Sequence, residues 1–202
     1  MGFDLYGISP KQNEIKPEIL SKFQNKDGFV QWDKMSQNDR DIYFEVSNKH
    51  KEQNPGLYFR NTVWEWRPLW QYVTVSCDDI LTEKDMEEGE HNSGHVISKT
   101  KANRIASRLK RADKKGEIMK YELKYKEYLA SLPKEKCGIC KGKGMRNDVL
   151  GKEARDKNSA YTCNGCDGKG VKDNFGTHYP FESEQVMRFA EFCEQSGGFE
   201  IC

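Results

Sequence analysis

Residues 137–144 read CGICKGKG, and residues 163–170 repeat the pattern as CNGCDGKG. Two copies of Cys-x-x-Cys-x-Gly-x-Gly constrain this chain more than any other feature. Thiolates two residues apart on a tight turn point at one spot, and two such turns complete the tetrahedral shell that Zn2+ prefers. Glycines after the second cysteine permit positive φ and close backbone approach, so amide N–H groups can aim at the sulfurs and the chain can reverse as a hairpin. Cys137, Cys140, Cys163 and Cys166 are therefore the expected ligands of one zinc ion. A redox dithiol is the main competing account of the same residues. Catalytic zinc keeps an open position and uses His, Asp or Glu ligands, whereas four thiolates leave no place for water, so the metal is read as structural. Structural zinc contributes roughly 10–16 kcal/mol in small zinc peptides. That is enough to fold a polar insert over 134–172 with no apolar core of its own, and the segment is expected to be disordered without metal.

The repeat resembles the cysteine-rich region of DnaJ-type co-chaperones, which carry four copies and hold two zinc ions. Here two copies imply one ion. The resemblance covers residues 137–170 and does not extend to the J-domain, whose His-Pro-Asp signature is missing because none of the six prolines follows a histidine. The GFDLYG opening, the YFRNTVWEWRPLW block and the SGGFEIC ending are similar to small proteins of tailed bacteriophages. That second resemblance implies a virus-encoded accessory protein, active in the cytoplasm of an infected bacterial host, without specifying an activity.

Outside the repeat, 202 residues with 36% hydrophobic content suffice for one main core. No apolar run approaches bilayer length, and MGFDLYGISPKQNEIK lacks the basic start and apolar stretch of a signal peptide. A soluble cytoplasmic protein is expected, in which seven cysteines signify metal rather than disulfides. The expected class is α+β, mostly helical, with a few short strands. Residues 1–133 and 173–202 make the main domain, and 134–172 an inserted zinc-knuckle or hairpin module.

Periodicity places the elements. GFDLYG alternates Phe3 and Leu5 with polar neighbours and reads as a short strand. Ser36 caps a helix ending near His50 with Ile42, Tyr43 and Val46 on one face. LYFRNTVWEW reads as extended, with Trp64 and Trp66 on one face of a strand and Glu65 on the other, and Pro68 in the first turn of the next helix. Thr82 and Asp85 form a capping-box pattern ahead of a short acidic helix. Ala102, Ile105, Ala106, Leu109 and Ala112 make the apolar stripe of a longer helix, Glu117–Ser131 forms another, and Ser183 caps the last. FEIC at the C-terminus suits an edge strand.

Three further constellations carry chemistry. Arg60, Trp64, Trp66, Arg67 and Trp70 join indoles to guanidinium groups, which suits a nucleotide-like ligand, although buried core tryptophans explain the same block. His91 and His95 beside the acidic run can be assembled into a second metal or acid–base site, but Asn92, Ser93 and Gly94 between them favour a surface turn. Seven acids between Asp78 and Glu90 precede eight bases between Ser98 and Gly116. Lys99, Lys101, Arg104, Arg108, Lys110 and Arg111 of that basic helix, with the lysines of the zinc module, suit a phosphate backbone; the plainer account is a solvated helix partly neutralised by its acidic neighbour. The leading expectation is a non-enzymatic binding protein that engages a host protein or a small nucleotide-like ligand, with counter-defence as its role. Nucleic-acid binding and a metal-dependent enzyme built on His91 and His95 are the alternatives.

Overall fold

The computed structural model describes residues 2–146 and 162–202. They divide into two compact units, one comprising 2–122 and 181–202, the other 123–180. The polar insert between the two cysteine motifs lies mostly outside the described residues.

The first unit is an α+β assembly. Strand β1 (Gly2–Gly7) pairs antiparallel with β2 (Tyr58–Thr62) on one side and with β6 (Gly198–Ile201) on the other, and β3 (His95–Ser98) extends the sheet in the order β2-β1-β6-β3. The C-terminal segment expected at an edge is thus central: β6 bonds to both β1 and β3. Strand order depends on pairings between distant segments, which local periodicity does not encode. Phe3, Leu5, Phe59, Ile97, Phe199 and Ile201 are buried on the sheet.

Helix α2 (Gln37–Gln53) starts at a Ser36–Asp39 capping box and runs past His50 to the buried cap residue Asn54. Tyr43 is buried and Val46 packs beside it, but Ile42 is exposed. A short α1 (Glu18–Lys22) contributes Leu20 to the same satellite cluster. Helix α3 (Val63–Ser76) corrects the extended reading of VWEW. Thr62 accepts from the Glu65 amide while Glu65 reaches back to the Thr62 amide, so the helix nucleates at Val63. Pro68 sits at its sixth position and forfeits one backbone bond.

Helical rather than strand geometry separates the tryptophans. Trp66 is fully buried and Trp64 is 38% exposed. Trp66 stacks between Phe3 and Trp70, with ring centroids 5.3 Å from each, and meets the edge of Phe189.

Helix α4 (Glu83–Glu88) begins at the Thr82–Asp85 capping box. Helix α5 (Lys99–Lys114) buries all five positions of its apolar stripe against α7 (Ser183–Gln195), which contributes Val186, Phe189, Ala190 and Cys193. Alanines at 102, 106 and 190 let the two helices approach closely. Helix α6 (Glu117–Ser131) spans the boundary between the units and buries Ile118 within the first. Among the described residues no helix is long and apolar enough to cross a membrane.

The second unit contains the C-terminal half of α6, the two-stranded ladder β4 (Glu135–Lys136) with β5 (Val171–Lys172), and both cysteine motifs. Its described buried residues are the four cysteines and two glycines, Gly144 and Gly170.

Candidate metal centre

The two motifs build near-identical turns related by an offset of 26 residues. The Cys137 amide donates to the Gly170 carbonyl at 2.9 Å, and the Cys163 amide donates to the Gly144 carbonyl at 2.8 Å, so each knuckle is tied to the end of the other. Lys141 and Asp167, the residues after each second cysteine, both take positive φ, 52° and 48°. That conformation costs a residue with a side chain about 1 kcal/mol or more, which is consistent with a turn held by something stronger.

The glycines explain the rest of the motif. A Cβ on Gly144 would lie 2.3 Å from the Gly168 carbonyl, and one on Gly170 would lie 2.5 Å from the Gly142 carbonyl. Both positions also have positive φ, 72° and 76°. A Cβ at either position would therefore push the paired knuckles apart.

This closure brings the four thiols together. Their Sγ atoms all lie within 4.8 Å of one another, with Cys137 to Cys163 at 3.8 Å and Cys140 to Cys166 at 3.7 Å. A disulfide requires about 2.05 Å. A regular tetrahedron with metal–sulfur bonds near 2.3 Å has edges of about 3.8 Å, so the spacing fits a shared cation and not a sulfur–sulfur bond. The Gly170 amide donates to Cys166 Sγ at 3.2 Å, supplying the backbone support expected around a thiolate.

Backbone hydrogen bonds, first that from Cys140, bring the Cys137 thiol down to about 6, although burial opposes them. Burial also acts against Cys140, where the Gly144 and Gly142 amides and the Cys166 thiol prevail and lower it. Burial dominates at Cys166, pushed up to about 11 with its neighbouring thiols adding to the rise. Four thiolates cannot coexist here without a compensating cation, and the cluster can hold a metal ion.

The remaining sequence-derived sites fare differently. Trp66 and Trp70, expected to stack a ligand, are core residues whose indole N–H groups donate to the Gly89 carbonyl at 2.8 Å and the Met86 carbonyl at 3.0 Å. They present no ring face to a ligand. Arg67 is exposed, and Arg60 lies 3.6 Å from Asp4.

His91 is exposed and His95 is engaged 3.0 Å from Asp85. Among the described residues, the four cysteines are the one group of three or more potential metal donors gathered together, so the acidic-histidine segment does not assemble a second site. Asp85 instead accepts from Lys101, His95 and the Thr82 amide and hydroxyl. Burial opposes its ionisation, but these partners prevail and hold its carboxyl well below the usual carboxylate range.

On α5, Arg108 places one nitrogen 2.9 Å from both oxygens of Asp79, Arg104 lies 3.6 Å from the same carboxylate, and Lys110 pairs with Glu194 at 2.6 Å. With Lys101 on Asp85, four of the six candidate cations already have acidic partners. Lys99 and Arg111 have none among the described residues.

The reciprocal ties between Cys137 and Gly170 and between Cys163 and Gly144 join residues that neither motif alone relates. The equal spacing of the two motifs was the available signal for them. Comparison of the chain with protein-family models, curated proteins and solved structures produced no match.

Proposed function

We propose that this chain is a non-enzymatic accessory protein of phage type in which one structural Zn2+, held by Cys137, Cys140, Cys163 and Cys166, organises residues 123–180. The recognition surfaces of the folded chain would engage a host protein or a small nucleotide-like ligand, with counter-defence as the biological setting. The carrying observation is the closed set of four buried sulfurs within 4.8 Å of one another. All four donors would face the cation, so no position is left for a substrate or an activated water. Zinc is favoured among metals because thiolate donors in a tetrahedral array suit it and because it brings no redox chemistry.

Cobalt substitution tests both parts. One equivalent of Co2+ is expected to give the visible bands of a tetrahedral thiolate complex, unchanged by added azide. A spectrum that shifts with azide would mean an open coordination position and would reject the non-enzymatic reading.

A second reading, nucleic-acid binding, is favoured by a different observation. Lys136, Lys141, Lys143, Lys169 and Lys172 of the second unit are exposed and have no acidic partner among the described residues, in contrast to the paired cations of α5. Binding of single-stranded oligonucleotide would then weaken with salt at a log–log slope of about −0.7 per phosphate contacted. Lys141→Ala with Lys143→Ala would flatten that slope, while Arg104→Ala would not.

A further inference from the structure

A cleft of about 410 Å³ opens in the first unit between α2, β2 and α7. Asn48, Lys51 and Glu52 of α2 form one side, Tyr58, Phe59 and Arg60 of β2 the floor and end, and Arg188, Glu191 and Phe192 of α7 the other side. These residues are far apart in sequence, and none belongs to the metal cluster. The volume is that of a small-ligand site.

Its chemistry is mixed in a specific way. Three cations, Lys51, Arg60 and Arg188, line it together with two carboxylates, Glu52 and Glu191. Arg188 has no acidic partner among the described residues, and Arg60 is held only by its Nε, 3.6 Å from Asp4, leaving its terminal nitrogens available. A simple anion would satisfy the guanidinium groups but meet repulsion from the glutamates. A ligand with one anionic end and neighbouring hydroxyl donors uses both, because guanidinium takes phosphate and carboxylate accepts from a sugar diol. Pro55 and the edge of the Tyr58 ring supply an apolar wall, the ring's faces being taken by Lys51 and Tyr6.

The backbone and floor of the cleft are held before any ligand arrives. Tyr58 donates its hydroxyl proton to Asp4, and the Lys51 ammonium lies 4.5 Å from the Tyr58 ring centroid. At the end of α2, the buried Asn54 accepts from the Asn13 and Glu14 amides at 2.8 and 3.0 Å and donates to the His50 carbonyl at 2.9 Å. Beneath the cleft, Phe59 packs on Phe189 and Phe192 with centroids 5.4 and 5.7 Å apart. A floor ordered in advance lowers the entropy lost on binding.

We infer that this cleft binds a nucleoside monophosphate, with Arg60 and Arg188 on the phosphate, Glu52 or Glu191 on the sugar hydroxyls, and the base along Pro55 and the edge of Tyr58. The inference deepens the proposed ligand-binding function and moves its site from the tryptophan block to a surface that shares only Arg60 with it.

The test is a calorimetric and NMR titration of the full zinc-loaded protein with AMP, GMP, CMP and UMP, with adenosine and inorganic phosphate as separate arms. At least one nucleotide is expected to bind and to shift the amides of 48–60 and 188–192. Phosphate alone and adenosine alone should each bind about tenfold or more weakly, and Arg188→Ala or Arg60→Ala should weaken the nucleotide about tenfold or more. Arg111→Ala on α5 should change nothing.

Lack of binding at millimolar nucleotide, shifts confined to other residues, or affinity indifferent to both arginine substitutions would overturn the assignment. Phosphate binding as tightly as nucleotide would do so too, as an adventitious ion only. Metal content measured on the same sample separates this failure from that of the zinc reading, since a zinc-loaded protein that ignores nucleotides refutes the cleft alone.

Discussion

Residues 2–122 with 181–202 close around aromatic rings and aliphatic chains, whereas the described residues of 123–180 bury little besides sulfur. In the first unit Trp66, Trp70, Phe189, Phe192, Phe199 and Leu109 are all at most 1% exposed. In the second, Ile139, Met145 and Phe175 are 44–55% exposed while Cys137 and Cys163 are fully covered. Apolar burial stabilises by about 25 cal/mol per Å² removed from water, a term the described residues of the second unit hardly collect. The difference teaches where each unit is vulnerable: the first to cavities, the second to chelators.

The largest expected effect follows from removing the cation. Cys137→Ser, or prolonged chelation of the native protein, should release the metal and unfold 123–180, a loss on the scale of the roughly 10 kcal/mol available from structural zinc. Amide spectra should show collapse of the dispersed signals of that unit while those of the first persist. Simultaneous loss of both sets would break the comparison.

A cavity in the aromatic core should act in the opposite sense. Trp66→Ala removes the ring stacked between Phe3 and Trp70 and should cost about 3–5 kcal/mol in denaturant unfolding of the first unit. Its metal content should remain that of the native protein.

The first unit has an acid-sensitive point of its own at Asp85. Because its folded carboxyl titrates below the ordinary range, its contribution is present above the unfolded value near 3.9 and is lost as pH falls through the folded value. Asp85→Asn should lower stability of the first unit at neutral pH by about 2–3 kcal/mol and flatten its dependence on acid. Lys101 and His95 lose their common partner in that variant.

The smallest expected change is at Gly144→Ala. Positive φ and a carbonyl 2.3 Å from the new methyl group should force the knuckles apart. That should cost about 1–3 kcal/mol, read as a weaker cobalt affinity without loss of the thiolate bands.

How much of this was legible in the sequence depended on the range of the interaction. Both cysteine turns are local, so spacing alone placed the sulfurs. The stripe from Ala102 to Ala112 is likewise one helix face, and every member is buried. At VWEW the β-branched and aromatic composition favours a strand, but the Thr62–Glu65 capping box starts a helix there and carries the tryptophans with it. The central position of β6 and the cleft beside Arg188 depend on segments more than a hundred residues apart meeting, and no window of sequence contains both.

X-ray absorption at the zinc edge of the purified protein tests the central claim most directly. Four sulfur neighbours at about 2.3 Å, with no nitrogen or oxygen in the shell, are predicted. A shell containing nitrogen, oxygen or an open position, or protein that carries no stoichiometric metal, would contradict it.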